Sequence, residues 1–326
     1  MPRVSPLYRR SVPLPRVRLR RGRAVVALVA LAVLISGDRA PARRAPVQTP
    51  APRLATALDA LAGPASAGDL DVMTFNLRYA SSATPNSWAQ RRPVVRTVLT
   101  TEKPDLIGTQ EGLAHQLRDV AADLGDTYRY IGTGREGGNR GEHMAIFYDA
   151  TRLAPLETGN FWLSGSPRTP GSVGWDARQP RMATWVLFAD STTGRRFYAV
   201  NTHLDNRGTE ARRHGAELIR QTLAAFGPLP IVLTGDFNSA AEPGSPAYAI
   251  LASPTAYDDT WTTAPRRGPA YATIHNYQPL IPGGERDDWI LCTPGTTVLA
   301  TLMNTYRDAF QYPSDHLPVE ARLRLP

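Results

Sequence analysis

"LPIVLTGDFNSA", residues 229–240, decides how the rest of the chain is read. Ile231 to Thr234 are the apolar and β-branched material of a buried strand. Gly235 follows, and then Asp236 and Asn238 stand on either side of Phe237. A carboxylate and a carboxamide at the end of a buried strand lose hydration, which is costly unless something uses them. Other strand-like runs end the same way. Residues 70–80 (LDVMTFNLRYA) carry Asn76, residues 105–111 (DLIGTQE) stop on Glu111, and the second half of residues 182–204 reaches His203. In α/β sheets ligands gather in the crevice at strand ends, so five polar strand ends point to one site.

The segments between these ends fix the fold class. Residues 88–104, 113–125 and 209–227 show helical spacing, with Pro104 and Gly125 as stop signals. Residues 143–150, 160–164, 287–292 and 316–325 are predicted as further strands, and residues 182–204 as a hairpin around "STTG". Helices and hairpins together indicate a mixed α/β (α+β) domain rather than a purely doubly wound sheet.

Composition describes an ordinary globule, with 42% hydrophobic and 20% charged residues. The single cysteine, Cys292, excludes an intramolecular disulfide and any site built on several cysteines. A net charge of +8 suggests nucleic acid until it is located. Residues 1–23 hold eight arginines and no acid, whereas residues 70–326 hold 25 Lys+Arg against 26 Asp+Glu. The basic excess therefore belongs to the tail, and bulk charge gives a nucleic-acid role no support.

Residues 24–35 (AVVALVALAVLI) are uninterrupted apolar material behind that arginine-rich run. Twelve residues fall short of the ~20 that span a bilayer, and the pattern fits a signal peptide or signal anchor over residues 1–36. Residues 37–69, rich in Ala and Pro, read as a linker, which leaves residues 70–326 as the domain. The protein is expected to be secreted or anchored on the outer face of the cytoplasmic membrane, touching the membrane through the N-terminal segment if it is uncleaved.

In order, the polar punctuation is "TFNLR", "TQE", "NTHLD", "GDFN", "RDDWIL" and "SDHLP". This set resembles the endonuclease/exonuclease/phosphatase superfamily, the DNase-like phosphoesterases, from Asn76 to Pro318. The resemblance implies a four-layer sandwich of two mainly antiparallel sheets flanked by helices, with the site at one edge. It implies a divalent cation, Mg²⁺ or Mn²⁺, held by Glu111 with Asn76 and Asp315. Hard cations of this kind take oxygen ligands and need few carboxylates.

By the same resemblance Asp236 positions or deprotonates the attacking water, and Asn238 holds that water or a phosphate oxygen. His316 is the essential histidine and Asp288 the acid that fixes its tautomer. Asp287, its neighbour, points away and is expected to be solvated. His203 matches the histidine proposed as leaving-group acid, with Asn201 and Asp205 around it, and Asn201 and His143, like Arg181, are expected to bind substrate. Arg181 either clamps a phosphate or forms a salt bridge to Asp176. His143 is expected at a strand start facing the cleft, and His115, His214 and His275 at the surface or in loops.

The likeness is to poorly characterised bacterial members with "TFNLRY" and "GEHMAIFY" motifs. "GDFNSA" departs from the inositol polyphosphate phosphatases, and Gly112-Leu113 stand where abasic-site endonucleases carry a lysine. The expected activity is an extracytoplasmic metal-dependent phosphoesterase, monomeric, acting on a small or lipid-linked phosphomono- or phosphodiester. A nuclease and a non-catalytic binding module on the same fold are the alternatives.

Overall fold

The computed structural model describes residues 55–253 and 255–326. The chain runs α1 (Ala57–Ala62), β1 (Leu70–Asn76), α2 (Trp88–Glu102), β2 (Leu106–Gly112), α3 (Ala114–Leu124), β3 (Tyr128–Ile131), β4 (His143–Asp149) and β5 (Leu153–Trp162). It continues with β6 (Met182–Asp190), β7 (Arg196–His203), α4 (Thr209–Ala224), β8 (Ile231–Asp236), α5 (Pro246–Leu251) and β9 (Asp258–Asp259). It closes with α6 (Thr260–Thr263), β10 (Asp288–Cys292), β11 (Thr297–Met303) and β12 (Val319–Arg324).

Two six-stranded sheets form, in the orders β11-β12-β1-β2-β4-β3 and β5-β6-β7-β8-β10-β9. Each contains one parallel pair, β1 with β2 and β7 with β8, and every other pairing is antiparallel. A parallel pair needs a crossover, and here α2 and α4 supply it. The carboxyl ends of these two parallel pairs carry Asn76, Glu111, His203 and Asp236, which is why the site forms there.

The layers follow from which faces are apolar. Val72, Leu106, Ile146, Val186, Phe188, Phe197, Val232, Ile290 and Ala321 fill the space between the sheets. The outer face of the first sheet (Met73, Phe75, Ile107, Phe147) packs on Val95, Val98 and Leu99 of α2 and on Leu117 and Val120 of α3. The outer face of the second (Val200, Leu233, Leu291) packs on Ile219 and Leu223 of α4 and on Ala247 and Leu251 of α5. Covered on both faces, β1, β8 and β10 read as continuous buried runs rather than alternating ones. The four-layer sandwich is as expected.

The sheets are also stitched by polar groups. Asn201 Nδ2 donates to Thr109 O (2.8 Å) and Ala145 O (3.0 Å), while its Oδ1 accepts from Gln110 Nε2 (2.7 Å) and Thr234 Oγ1 (3.3 Å). Gly108 lies against this network, and a Cβ there would collide with Thr234 Oγ1.

The expected linker over residues 37–69 needs correction at its end. Residues 57–62 form α1, capped by Thr56 and Asp59, with Leu58 packed on Ala300 and Leu302. Arg322 ties α1 to the sheet by donating to Asp59 Oδ1 (2.8 Å), Asp71 Oδ1 (2.7 Å) and Gly63 O (2.6 Å). Alanine-rich composition concealed a short capped helix. The expected signal segment and residues 37–54 of the expected linker lie outside the described residues. Among the described residues no helix is long and apolar enough to cross a membrane.

Candidate active site

The site grows from one row of the second sheet. His203 of β7 pairs with Asp236 of β8, and Asp236 pairs in turn with Asp288 of β10. Neighbours in one row share a face, so two carboxylates and an imidazole arrive side by side. All three are buried. Asp236 Oδ2 lies 3.3 Å from His203 Nε2 and 3.8 Å from His316 Nδ1.

The first sheet supplies the other wall. Asn76 Nδ2 donates to Asp236 Oδ2 (2.9 Å) and to Glu111 Oε1 (3.1 Å), so one carboxamide joins the two sheets at the site. Its Oδ1 accepts from Arg78 N at 2.8 Å, and Asp236 Oδ1 likewise accepts from Asn238 N at 2.9 Å. Such side-chain turns favour Asn and Asp. Arg78 and Asn238 have φ of 54° and 47°. Glu111 sits on a bulge where the β2–β4 register shifts, with φ of 62°. Bulges re-aim side chains beside active sites, and strained φ values cluster there. Glu111 Oε2 accepts from Tyr79 N at 2.8 Å.

His316 arrives from the loop before β12, and its Nδ1 faces Asp288 Oδ2 at 2.9 Å. Burial alone would depress this imidazole, but Asp288 and Asp236 outweigh it and hold the ring well above the usual histidine range. Held by Asp288 at Nδ1, the ring has Nε2 left for substrate. Burial, and secondarily the neighbouring Asp288, push the Asp236 carboxyl up to about 7. His203 goes the other way: burial and the cations Arg181, His316 and Arg135 hold it well below the ordinary value. His316, rather than His203, is therefore the ring that carries a proton here. Asn238 Nδ2 lies 2.9 Å from His203 Nε2 and donates to Leu204 O at 3.0 Å.

A cavity of about 320 Å³ opens on this row, lined by Glu111, His203, Asp236, Asn238 and His316. It is also lined by Arg135, Glu142, Gln179, Arg181 and Asn206. Of these, only Arg181 was expected. Its partner is Asp205 (3.3 Å), not Asp176, whose carboxylate instead caps the first turn of α4 through Ala211 N at 2.7 Å. Arg135 comes from the β3–β4 loop and pairs with Glu142 at 2.7 Å. Burial above all pushes the Glu142 carboxyl up to about 7, against the pull of Arg135.

Several expected residues stand elsewhere. Asn201, expected to bind substrate, is wholly buried in the inter-sheet network, with donors and acceptor all engaged. His143 is buried with Nδ1 on Gly112 O at 3.2 Å and does not line the cavity. Asp315 pairs with Arg78 at 3.5 Å and is not among the cavity's lining residues. Asp287 does point away from the site, but it is half-buried in a neighbouring hollow with Arg212 and Glu285 rather than solvated. Burial and Asp288 push its carboxyl up to about 6. His275 is in a loop, as expected, yet buried against Tyr312.

The donor set suits a hard divalent cation. Glu111, His203 and Asp236 offer ligand atoms within 4.8 Å of one another, and so do Asp236, Asp288 and His316. Carboxylate oxygens at a bulge-mounted Glu111 and at Asp236 are the ligands such ions prefer.

The endonuclease/exonuclease/phosphatase family model matches residues 73–316, which hold every motif residue of the site. A search of curated proteins finds no match. Among solved structures, a family member from Bacteroides thetaiotaomicron is 36% identical with a TM-score of 0.74, covering 78% of this chain and 97% of that one. A mannosyl-6-phosphatase from the same organism is also 36% identical, with a TM-score of 0.73 over 78% of this chain and 99% of that one. The human Nocturnin catalytic domain, at 20% identity and a TM-score of 0.62 over 79% of this chain and 94% of its own, shares the fold. With its row of buried acids and histidines, its sandwich and this match in place, the chain belongs to the endonuclease/exonuclease/phosphatase family.

Proposed function

We propose that this chain is an extracytoplasmic, divalent-metal-dependent phosphoesterase that hydrolyses a small or lipid-linked phosphate ester by in-line attack of water. The observation that carries this reading is the convergence of Asp236, His316 and Glu111 on one cavity, with Asp288 holding His316 from behind. The likeness to the Bacteroides thetaiotaomicron mannosyl-6-phosphatase supports a small phosphorylated substrate. The apolar run 24–35 behind an arginine-rich start supports export.

Glu111, with Asp236 beside it, would hold Mg²⁺ or Mn²⁺. Bound there, the ion would offset charge on the phosphoryl oxygens and orient the ester. The chain's own residues do the rest. Asp236, bridged to Asn76 and Asn238, holds the attacking water and accepts its proton. His316 presents a charged donor to a phosphoryl oxygen, its orientation fixed by Asp288. Asn238 lines the same cavity and braces the site, with its backbone N on Asp236 Oδ1 and its Nδ2 on Leu204 O beside His203 Nε2.

The test is an activity panel with Mg²⁺ or Mn²⁺ on an aryl phosphomonoester, an aryl phosphodiester, sugar phosphates, sphingomyelin and DNA. Chelation should abolish turnover and added metal restore it, and Glu111→Gln should weaken metal binding while the protein stays folded. Full activity in a chelator would overturn the metal-dependent reading. Residues 1–69 fused to a reporter active only outside the cytoplasm should give signal, and a stable but silent fusion would contradict export.

A further inference from the structure

Two guanidinium groups line the catalytic cavity with donors that no protein atom takes up. Arg181 is 5% exposed. Its Nε donates to Asp205 Oδ2 at 3.3 Å and its Nη2 to Asn206 Oδ1 at 3.2 Å, while Nη1 is buried without a partner. Arg135 donates from Nη1 to Glu142 Oε2 at 2.7 Å, and its Nε is buried and equally unpartnered. Asp205 is itself fixed by Arg207 N (2.9 Å) and Gly208 N (2.7 Å), so Arg181 is held in place from behind. A buried charged donor left unmatched is costly. Two such donors around one cavity are intelligible if an anion completes them.

The count of donors says which anion. A phosphodiester carries one negative charge on two terminal oxygens. His316, with the cation that Glu111 would hold, already meets those. A phosphomonoester brings a third terminal oxygen and a second charge, which guanidinium groups match well. We propose that Arg135 and Arg181 form a clamp on the terminal phosphoryl oxygens that selects dianionic phosphomonoesters over diesters. The proposal rests on the phosphoesterase reading above and narrows its substrate class. Arg135 and Arg181 act as specificity-determining residues, and the attack on phosphorus remains with Asp236 and His316.

The experiment uses the full chain with Mg²⁺ and compares wild type with Arg181→Gln, Arg181→Lys, Arg135→Gln and the control Arg92→Gln. Arg92 pairs with Asp119 and Asp123 and does not line the cavity, so its replacement removes one positive charge without touching the site. Calorimetry reads the Kd for inorganic phosphate, and kcat/KM is measured on p-nitrophenyl phosphate and on bis(p-nitrophenyl) phosphate. Wild type should favour the monoester. Arg181→Gln and Arg135→Gln should each weaken phosphate about tenfold or more and cut the monoester preference by a similar factor. Arg181→Lys should recover part of the loss, and Arg92→Gln should match wild type.

A wild type that prefers the diester overturns the clamp, and so do arginine variants that keep phosphate affinity and preference. Should Arg181→Gln fail to fold by circular dichroism, Arg135→Gln decides alone, because its side chain is the more exposed at 11% against 6%. No hydrolysis of either ester by wild type, with phosphate still bound through both arginines, would instead overturn the phosphoesterase reading.

Discussion

Asp236 and Asp288 are direct cross-strand partners on β8 and β10, and a single imidazole, His316, stands 3.8 Å from one and 2.9 Å from the other. Two buried acids around one ring cannot both ionise freely unless the ring is charged. The pairing favours a charged ring at His316, while burial and Asp288 push the Asp236 carboxyl up to about 7.

Asp288→Asn should be the milder of two kinds of change at this strand. It keeps an acceptor for His316 Nδ1 but loses the charge that favours the imidazolium, so kcat should fall roughly 10–100-fold, below the ~10²–10⁴ typical of a lost acid or base. Asp287→Asn should change kcat less than threefold, because its side chain lies in the hollow with Arg212 and Glu285. Steady-state kinetics on both variants checks the register of the strand, and a sensitive Asp287 would contradict it.

Asn201 tests the line between site and scaffold. Asn201→Ala removes four hydrogen bonds, three of them between the sheets, and takes a partner from each of Thr109 O, Ala145 O and Gln110 Nε2 in a buried interior. Stability should fall by about 2–4 kcal/mol in a denaturant titration. KM per folded molecule should stay within about twofold at a temperature where the variant is folded. A large rise in KM with stability intact would return Asn201 to the substrate.

The strands, the three long helices and the polar strand ends were legible because each is a periodic run stopped by a distinctive residue. What periodicity could not carry was lost. β3, β9 and β11 and the helices α1, α5 and α6 are too short, or too mixed in composition, to stand out. Arg135 and Glu142 were missed for another reason: the loop "GREGGNRGEH" has no period, and in a chain with 36 arginines one more is uninformative. Asn201 was misassigned because a carboxamide near a strand end looks alike whether it serves substrate or the partner sheet.

A second buried acid cluster gives a pH signature away from the site. Glu320 and Glu102 share Asn304 Nδ2, at 2.8 and 3.1 Å. Burial first, and then Glu102, hold the Glu320 carboxyl well above the ordinary glutamate value. Above pH ~4.3 the unfolded chain releases this proton while the folded one keeps it, so this group makes stability fall as pH rises. Glu320→Gln removes that penalty. Its thermal midpoint should exceed wild type at pH 8 by about 2–4 °C, the shift that ~1 kcal/mol produces in a domain of this size, with little difference at pH 4. Equal shifts at both pH values would contradict the protonated assignment.

The central claim is that Asp236 and His316 work as one unit on one phosphoryl group. Single-turnover hydrolysis of an aryl phosphate with saturating Mg²⁺, measured for Asp236→Ala, His316→Ala and the double variant, tests it most directly. Each single change should lower the rate ~10²–10⁴-fold, and the double variant should be little worse than the worse single, since members of a catalytic unit are strongly non-additive. Losses that multiply in the double variant, or His316→Ala at wild-type turnover, would contradict the account.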